Sequence, residues 1–573
     1  IRRNFGYADY PEISFKLNFP PEVNLFRDGA AIECFIAGEE PVKGVLINLD
    51  GKSGEFRLFA PDFPDWIEDN GVGIKLSPDT RTTSIMKKVL NELENNKHLF
   101  RLFEQLHADP EKADPATTTS NADNYRDTAT VLPLHFRNQH LNESQQQAVT
   151  AISQNENITI VHGPPGTGKT TTLIEAIGQL VKAGEKILVS APSNTAVDNI
   201  AKGLIQKGIK LLRVGNTSKV DETIFSHTPE GRLANSKQQK EIKQLKIRAE
   251  EFRKMALKYK RSFGKAEREQ RQLLFKEVKD IRTAIKKLQA YNEEKLFEEA
   301  EVIAGTPIGL YDAGINHHHF QTLVIDEAGQ CIEPLAWCIF RLAEKIVLAG
   351  DHWQLPPTVL SNEAARLGFN RSILEAAIGK VDPVFLLNTQ YRMREAIAGF
   401  SSDYFYNGRL LTSPHLTNNS SHITFIDTAG SGYNEVRGPD GTSLQNEGEL
   451  RIVQQLLETE SLDPARTALI SPYAGQVAAA KELLPTALRI STIDSFQGQE
   501  KETIIVSLVR SNDDGDIGFL KDYRRMNVAI TRAKEQLYVI GDSATIGADV
   551  FYNAFLTYIE KKGTYRTVWE FEM

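Results

Sequence analysis

Residues 162–172 read HGPPGTGKTTT. The run fits G-x-x-x-x-G-K-[ST], with Gly163, Gly168, Lys169 and Thr170 at the fixed positions. Glycines at that spacing keep the backbone close to a phosphate chain, so that successive N–H groups can point at its oxygens. Lys169 is placed to reach the outer phosphates, and the Thr170 hydroxyl to ligate Mg²⁺. The loop needs a strand before it and a helix after it. ITIVHG reads as a buried strand and TTTLIEAIGQLVKAG as an amphipathic helix. This stretch therefore commits the chain to an α/β domain with a nucleoside triphosphate site.

At 573 residues the chain is long enough for three or four domains. Residues 1–80 alternate in the manner of strands and are punctuated by Gly and Asp-Gly turns, which predicts a small β-barrel. Residues 81–134 begin with one long helix, a stalk, and continue as a polar linker with two prolines. From 135 the pattern changes to alternating strands and helices. ITIVHG, KILVSAP, TLVIDE and KIVLAGD form one set, within 135–385. HITFIDT, RTALISPY, LRISTID, ETIIVSLV and QLYVIGD form a second, within 386–573. Apolar runs separated by helices argue for parallel sheets covered on both faces. The second set lacks a phosphate loop of its own.

Residues 222–298 interrupt the first set and contain no strand pattern. They predict two long helices folded back near 262–265. Over 237–287 there are 18 Lys and Arg against 7 Asp and Glu, a net charge of +11 in a chain whose total is −8. Such an arm is either a solvated helical hairpin or a basic surface for a phosphate backbone.

Further chemistry lies at the ends of apolar strands. In VIDEAGQ, Asp326 can hold Mg²⁺ and Glu327 can orient and deprotonate a water. VLAGDHWQLPP brings Asp351 and Gln354, and a Gln there can sense a γ-phosphate. Arg392 in QYRM and Arg532 in VAITRAK sit in the second set of strands, where they can stabilise charge on a transferring phosphoryl group.

Together these motifs resemble a superfamily 1 helicase, in the subgroup of the nonsense-mediated-decay RNA helicase and the immunoglobulin mu-binding-protein helicase. The resemblance runs in unbroken motif order from Leu141 to Lys534. It implies two RecA-like parallel-sheet domains in tandem, with ATP and Mg²⁺ in the cleft and a single strand of RNA or DNA across both. GPPGTGKTT gives Gly163, Pro164, Pro165, Gly166, Thr167, Gly168, Lys169, Thr170 and Thr171 to the nucleotide, with Thr170 and Asp326 on the metal. LNESQQQAV implies adenine recognition by Gln145, and LNTQYRM implies stacking by Tyr391 with Arg392 at the γ-phosphate. TIDSFQGQE implies Glu500 near the ribose and Thr492 near nucleic acid. APSNTAVD, GTPIG and SPYAGQ imply a channel lined by Ser193, Asn194, Thr195, Thr306, Pro307, Pro472 and Tyr473. The subgroup also carries a β-barrel on a helical stalk and an insertion in the first RecA-like domain, where the barrel, the stalk and the hairpin fall here. It implies 5′→3′ movement; no residue shows direction, and none announces RNA over DNA.

Three departures stand out: Gly329 after DEA, Trp353 before Gln354, and no His-Pro after QYRM. The chain is expected to be cytoplasmic, because its three cysteines form no metal pattern and no even set, and without a membrane span, because no apolar run reaches 18 residues; it is also expected to be a monomer. An initial Ile rather than Met leaves room for an upstream segment. The three histidines of NHHHF, His317–His319, read as a solvent loop, since no nearby Cys or carboxylate spacing completes a metal site. Trp66, Trp337 and Trp569 read as packing residues, and Phe263 lies near the hairpin tip. The motifs also fit a different class of protein, a clamp or nucleoprotein remodeller that hydrolyses ATP without unwinding.

Overall fold

The computed structural model describes the chain except residues 1, 6–10, 19–29, 51, 61–62, 70, 78–79, 108–135, 155–156, 216–219, 234–236, 258–264, 360, 418–421, 439–440, 442 and 572–573. The expected linker and Phe263 lie outside the described residues. The chain divides into two compact units, residues 1–92 and 93–573.

Among the described residues the first unit holds six antiparallel strands. Their order is Arg2–Phe5, Pro11–Lys16, Ser53–Leu58, Val42–Asp50, Ala31–Phe35 and Gly73–Leu76. Alternating residues face a core of Ile13, Ile32, Cys34, Leu46, Phe56 and Leu58, as the period of two requires. No pairing joins the outer two strands among the described residues, so the pairing itself leaves the barrel open. Trp66 packs against this core.

The expected single stalk helix is two helices. Thr80–Glu92 closes the first unit, and Lys97–His107 follows a 3-10 turn at Leu93–Asn95 in the second. Asn96 causes the break, because its Oδ1 accepts from the N–H groups of His98 and Leu99 and caps a new helix.

The second unit contains two wholly parallel sheets. The first runs Val384–Leu386, Ile158–His162, Ala343–Gly350, Phe320–Ile325, Ile187–Ser190, Val302–Gly305, Leu211–Arg213. The second runs Arg489–Thr492, Thr467–Ser471, Lys501–Ser507, Ala533–Gly541, Ile423–Asp427, Thr564–Thr567. All five residues of Ile158–His162 and of Thr467–Ser471 are buried. Helices cover both faces of such strands, which explains their unbroken apolar runs. Each buried Val, Leu or Ile contributes about 1.5–3 kcal/mol. Trp337 belongs to the buried core, whereas Trp569 is exposed.

The insertion forms helices Lys237–Leu257 and Lys265–Glu299, without a strand among the described residues. They meet along a thin seam of Ile242, Ala249, Ile281 and Ile285.

Candidate active site

A cleft of about 910 Å³ lies where the strand ends of the two parallel sheets face each other. Its floor is the loop between Ile158–His162 and the helix Lys169–Lys182. Gly166 and Gly168 have φ of 77° and 76°, in the left-handed region that glycine enters without steric cost. A Cβ on Gly166 would lie 2.7 Å from the Arg392 Cβ, and one on Gly168 would lie 2.7 Å from the Gln145 Nε2. The loop is thus held between the second sheet and the preceding helix. No side chain caps the helix Lys169–Lys182, so its positive end faces the cleft.

Strand Phe320–Ile325 delivers Asp326 and Glu327 above this loop. Lys169 Nζ lies 3.1 Å from Asp326 Oδ1 and 2.6 Å from Glu327 Oε1. Burial disfavours the Lys169 ammonium, but the two carboxylates outweigh it and the net shift is upward. Burial pushes the Asp326 carboxyl up, against the pull of Lys169. Glu327 has φ 54°, unusual for a residue with a side chain. The Glu327 N–H donates to Asp326 Oδ1 at 2.8 Å, and Gln330 Nε2 donates to Glu327 Oε2 at 3.0 Å. Strain of this kind, on the order of 1 kcal/mol or more, concentrates at functional sites. Gly329 has a local reason: a Cβ there would stand 2.7 Å from the Asp351 carbonyl oxygen.

Strand Ala343–Gly350 leads to Asp351, which is buried and accepts four hydrogen bonds. They come from His162 Nε2 at 3.0 Å, the Trp353 N–H at 3.0 Å, Gln354 Nε2 at 2.9 Å and the Tyr406 hydroxyl at 2.7 Å. Burial raises its carboxyl, yet the bonds from these partners win and hold it at about 2. Gln354 Oε1 accepts from Arg532 Nη2 at 3.2 Å. Arg532 is 3% exposed. It also donates to the carbonyls of Val528 at 3.0 Å and Gln499 at 3.5 Å, and no carboxylate pairs with it among the described residues. Burial first, and Arg392 second, pull its guanidinium down to about 9.

Arg392 pairs with Glu500, Nε to Oε2 at 2.5 Å, and Lys534 approaches the other Glu500 oxygen at 2.7 Å. Burial would raise the Glu500 carboxyl, but Arg392 and Lys534 bring it below its ordinary value. Tyr391 is half-exposed, and its hydroxyl accepts from Asn142 Nδ2 at 2.8 Å. Gln145 is engaged by the protein: Nε2 donates to the Thr167 carbonyl at 2.9 Å, and Oε1 accepts from the Asn142 N–H at 3.0 Å. Pro164, Pro165, Thr170 and Thr171 line the cleft with the rest of the loop.

The residues expected along nucleic acid fall into two groups. Ser193 and Thr195 are exposed at the start of the helix Asn194–Gln206 and line the cleft. Pro472 and Thr492 are half-buried at strand ends, and Thr306 caps a short helix through Gly309 N–H. Asn194, Pro307 and Tyr473 are tied into the protein. Asn194 Oδ1 accepts from the buried Arg213, Pro307 is buried, and the buried Tyr473 hydroxyl accepts from the Phe519 N–H at 3.3 Å. Sequence reasoning missed His162, Tyr406 and Asn527. Asn527 Nδ2 donates to the Trp353 carbonyl at 2.8 Å and to the Tyr406 hydroxyl at 3.2 Å. His162 adjoins the phosphate loop and was the one legible signal, while Tyr406 stands just past the helix Glu395–Phe405 and Asn527 lies within the helix Tyr523–Ile530.

A family model described as an AAA domain matches residues 140–362, and a second of the same description matches 369–544. The DNA-binding protein SMUBP-2 of Mesocricetus auratus is 33% identical over 96% of this chain and 57% of its own length. An uncharacterized ATP-dependent helicase of Methanocaldococcus jannaschii is 30% identical over 91% of this chain and 84% of its own. A regulator of nonsense transcripts 1 homolog of Drosophila melanogaster is 30% identical over 74% of this chain and 36% of its own. Of the rodent SMUBP-2 proteins the chain spans 46–57%.

Proposed function

The chain belongs to the superfamily 1B helicases of the SMUBP-2 and nonsense-transcript-regulator type, and on that premise we propose that it hydrolyses ATP between its two parallel sheets to move along single-stranded nucleic acid. The observation that carries this reading is Arg532, a buried guanidinium at the mouth of the cleft with no carboxylate partner among the described residues. Uncompensated buried positive charge calls for an anion. A γ-phosphate above the loop, within reach of Gln354, Arg392 and Arg532, supplies it.

ATP entering the loop competes for Lys169 and so releases the two carboxylates that it now holds. Thr170 and Asp326 are the residues that would hold Mg²⁺, which neutralises the β- and γ-oxygens when bound. The donor set fits: a hydroxyl at the helix start and a buried carboxylate at a strand end, both on the cleft wall. Glu327, freed from Lys169, orients and deprotonates water, and its strained backbone aims the carboxylate into the cleft. Tyr391 stacks on the base, Glu500 approaches the ribose, and Gln145 braces the loop below the adenine. Ser193, Thr195, Thr306, Pro472 and Thr492 face the strand, with Asn194, Pro307 and Tyr473 supporting them from beneath. Contacts of this kind bind backbone rather than sequence. Among the described residues no helix is long and apolar enough to cross a membrane. The three buried free thiols fit a reducing cytoplasm.

Steady-state ATPase rates without polymer, with single-stranded RNA and with single-stranded DNA, beside Glu327→Gln, test the reading. Stimulation by a polymer that disappears in Glu327→Gln is expected, and the ratio of the two polymers names the substrate. Strand displacement from duplexes with a 5′ or a 3′ overhang separates helicase from clamp and gives the direction, expected to be 5′→3′. Rates that no polymer changes would sink the proposal.

A further inference from the structure

The sequence offers His317, His318 and His319 no completing ligand, but the fold does. The last turns of the insertion helix Lys265–Glu299 bring Glu294 against the turn that precedes strand Phe320–Ile325. His317 Nε2 lies 3.1 Å from Glu294 Oε1 and 2.9 Å from Oε2. His318 Nε2 lies 3.2 Å from Oε1. Consecutive side chains on a strand diverge, but here the 3-10 turn Ile315–His317 ends at His318, whose backbone is extended, and both rings reach one carboxylate. Their centroids are 4.5 Å apart.

His318 is the informative member. Its side chain is 11% exposed, edge-on to Phe297 at 5.7 Å. Its Nε2 is buried and makes no aligned hydrogen bond among the described residues, although Glu294 Oε1 is only 3.2 Å away. Proximity without alignment is the arrangement expected when two donors point at a shared third body. Ligands about 2.0–2.1 Å from a tetrahedral metal stand roughly 3.3 Å from one another. Glu294 Oε1 stands 3.1 Å from His317 Nε2 and 3.2 Å from His318 Nε2, within a few tenths of an ångström of that edge, and the ligand atoms of all three residues lie within 4.8 Å of one another. His319 is not part of the set, since its ring turns to Glu344 at 3.4 Å and is largely exposed.

We propose that Glu294, His317 and His318 form a site for a divalent transition cation. Two imidazole nitrogens and a carboxylate, with no thiolate, suit Zn²⁺, and Co²⁺ as its spectroscopic substitute. Three protein ligands leave a fourth position for water. The cation ties the base of the basic hairpin to the strand that ends in Asp326 and Glu327, so its occupancy fixes the hairpin to the catalytic wall.

The test is a Co²⁺ titration of the chelator-stripped full chain in excess Mg²⁺, followed by visible absorbance, with Zn²⁺ as competitor. One equivalent producing a band that Zn²⁺ bleaches is expected. His318→Ala and Glu294→Gln should weaken binding by at least ten- to a hundredfold, with circular dichroism confirming that each variant is folded. His319→Ala and Asp326→Asn should keep the band. In a thermal scan, Zn²⁺ should raise the Tm of the unaltered chain and leave Glu294→Gln unmoved. Absence of a band, or a band kept in Glu294→Gln and lost in Asp326→Asn, overturns the proposal. The second result would place the cation among the nucleotide carboxylates.

Discussion

Arg532→Gln separates a catalytic arginine from a structural one. A guanidinium lowered to about 9 by burial and by Arg392 carries a penalty on its charged form on the order of a few kcal/mol. Its four hydrogen bonds, to Val528, Gln499, Gln354 and Thr531, each contribute about 0.5–1.5 kcal/mol. The two sums nearly cancel in the nucleotide-free protein. Replacement by Gln should therefore leave the Tm unchanged or slightly raised. During hydrolysis the balance differs, because charge builds on the γ-phosphoryl group and nothing else buried nearby is both cationic and unpaired among the described residues. Loss of an arginine in that role costs about 10³–10⁵ in kcat, or roughly 4–7 kcal/mol of barrier. Steady-state kcat with saturating polymer, equilibrium nucleotide binding and a nucleotide-free thermal scan measure the three quantities. A Tm lowered by several degrees with kcat reduced less than tenfold would refute the reasoning and make Arg532 a packing residue.

Glu327→Gln should lower kcat by about 10²–10⁴ and preserve ATP affinity, read by turnover and equilibrium binding. Gly166→Ala, at φ 77° with Arg392 Cβ 2.7 Å away, should raise the Kd for ATP at least fivefold, since the left-handed backbone alone costs about 1–2 kcal/mol. Arg213→Met strips the buried Asp198 of its 2.7 Å partner and should destabilise by about 3–5 kcal/mol, measured by chemical denaturation. Burial lifts the Glu449 carboxyl from 4.5 to about 8 against bonds from Ser507 and Val509. Its stabilising contribution is complete below 4.5 and is lost as pH rises through 8. Glu449→Gln should gain on the unaltered chain by on the order of a few kcal/mol between pH 5 and pH 8, and a pH-independent difference in denaturation midpoint would contradict this.

Much of the site was legible because its chemistry is local. Lys169, Thr170, Asp326, Glu327 and Gln354 each stand at the end of an apolar strand or in a glycine loop, and the fold carries them into one cleft. Strands with long apolar runs were legible too. Leu211–Arg213, Val302–Gly305, Val384–Leu386 and Thr564–Thr567 were not. They are three or four residues long and lie at or next to a sheet edge, where pairing with a neighbouring strand rather than a distinct apolar run makes them strands. The stalk read as one helix because its apolar spacing continues through Asn96, and only a side-chain cap breaks it. The Glu294 contact to His317 and His318 was invisible because it joins residues 23 apart through the return of a helix. Asn194 and Tyr473 show the converse limit: motif position identified them, but their side chains are spent on Arg213 and on the Phe519 backbone.

The way the two sheets are joined suits a cycle. Across the cleft run hydrogen bonds from Tyr406 to Asp351, from Asn527 to the Trp353 carbonyl, from Arg532 to Gln354, from Asn142 to Tyr391 and from the Tyr391 N–H to the Gly166 carbonyl. At about 0.5–1.5 kcal/mol net apiece, the set is worth only a few kcal/mol. Moving a two-state equilibrium from 1:99 to 99:1 takes about 5.5 kcal/mol of differential binding, which a triphosphate with two arginines and a lysine can supply. Gln354 lies where the change must be felt, for its Nε2 is committed to Asp351 and its Oε1 to Arg532. An anion that draws Arg532 away leaves Gln354 Oε1 without that donor, while the four bonds on Asp351 keep the other end fixed. The side chain is then anchored at one end and free to accept at the other, which is what positioning a water beside a phosphate requires.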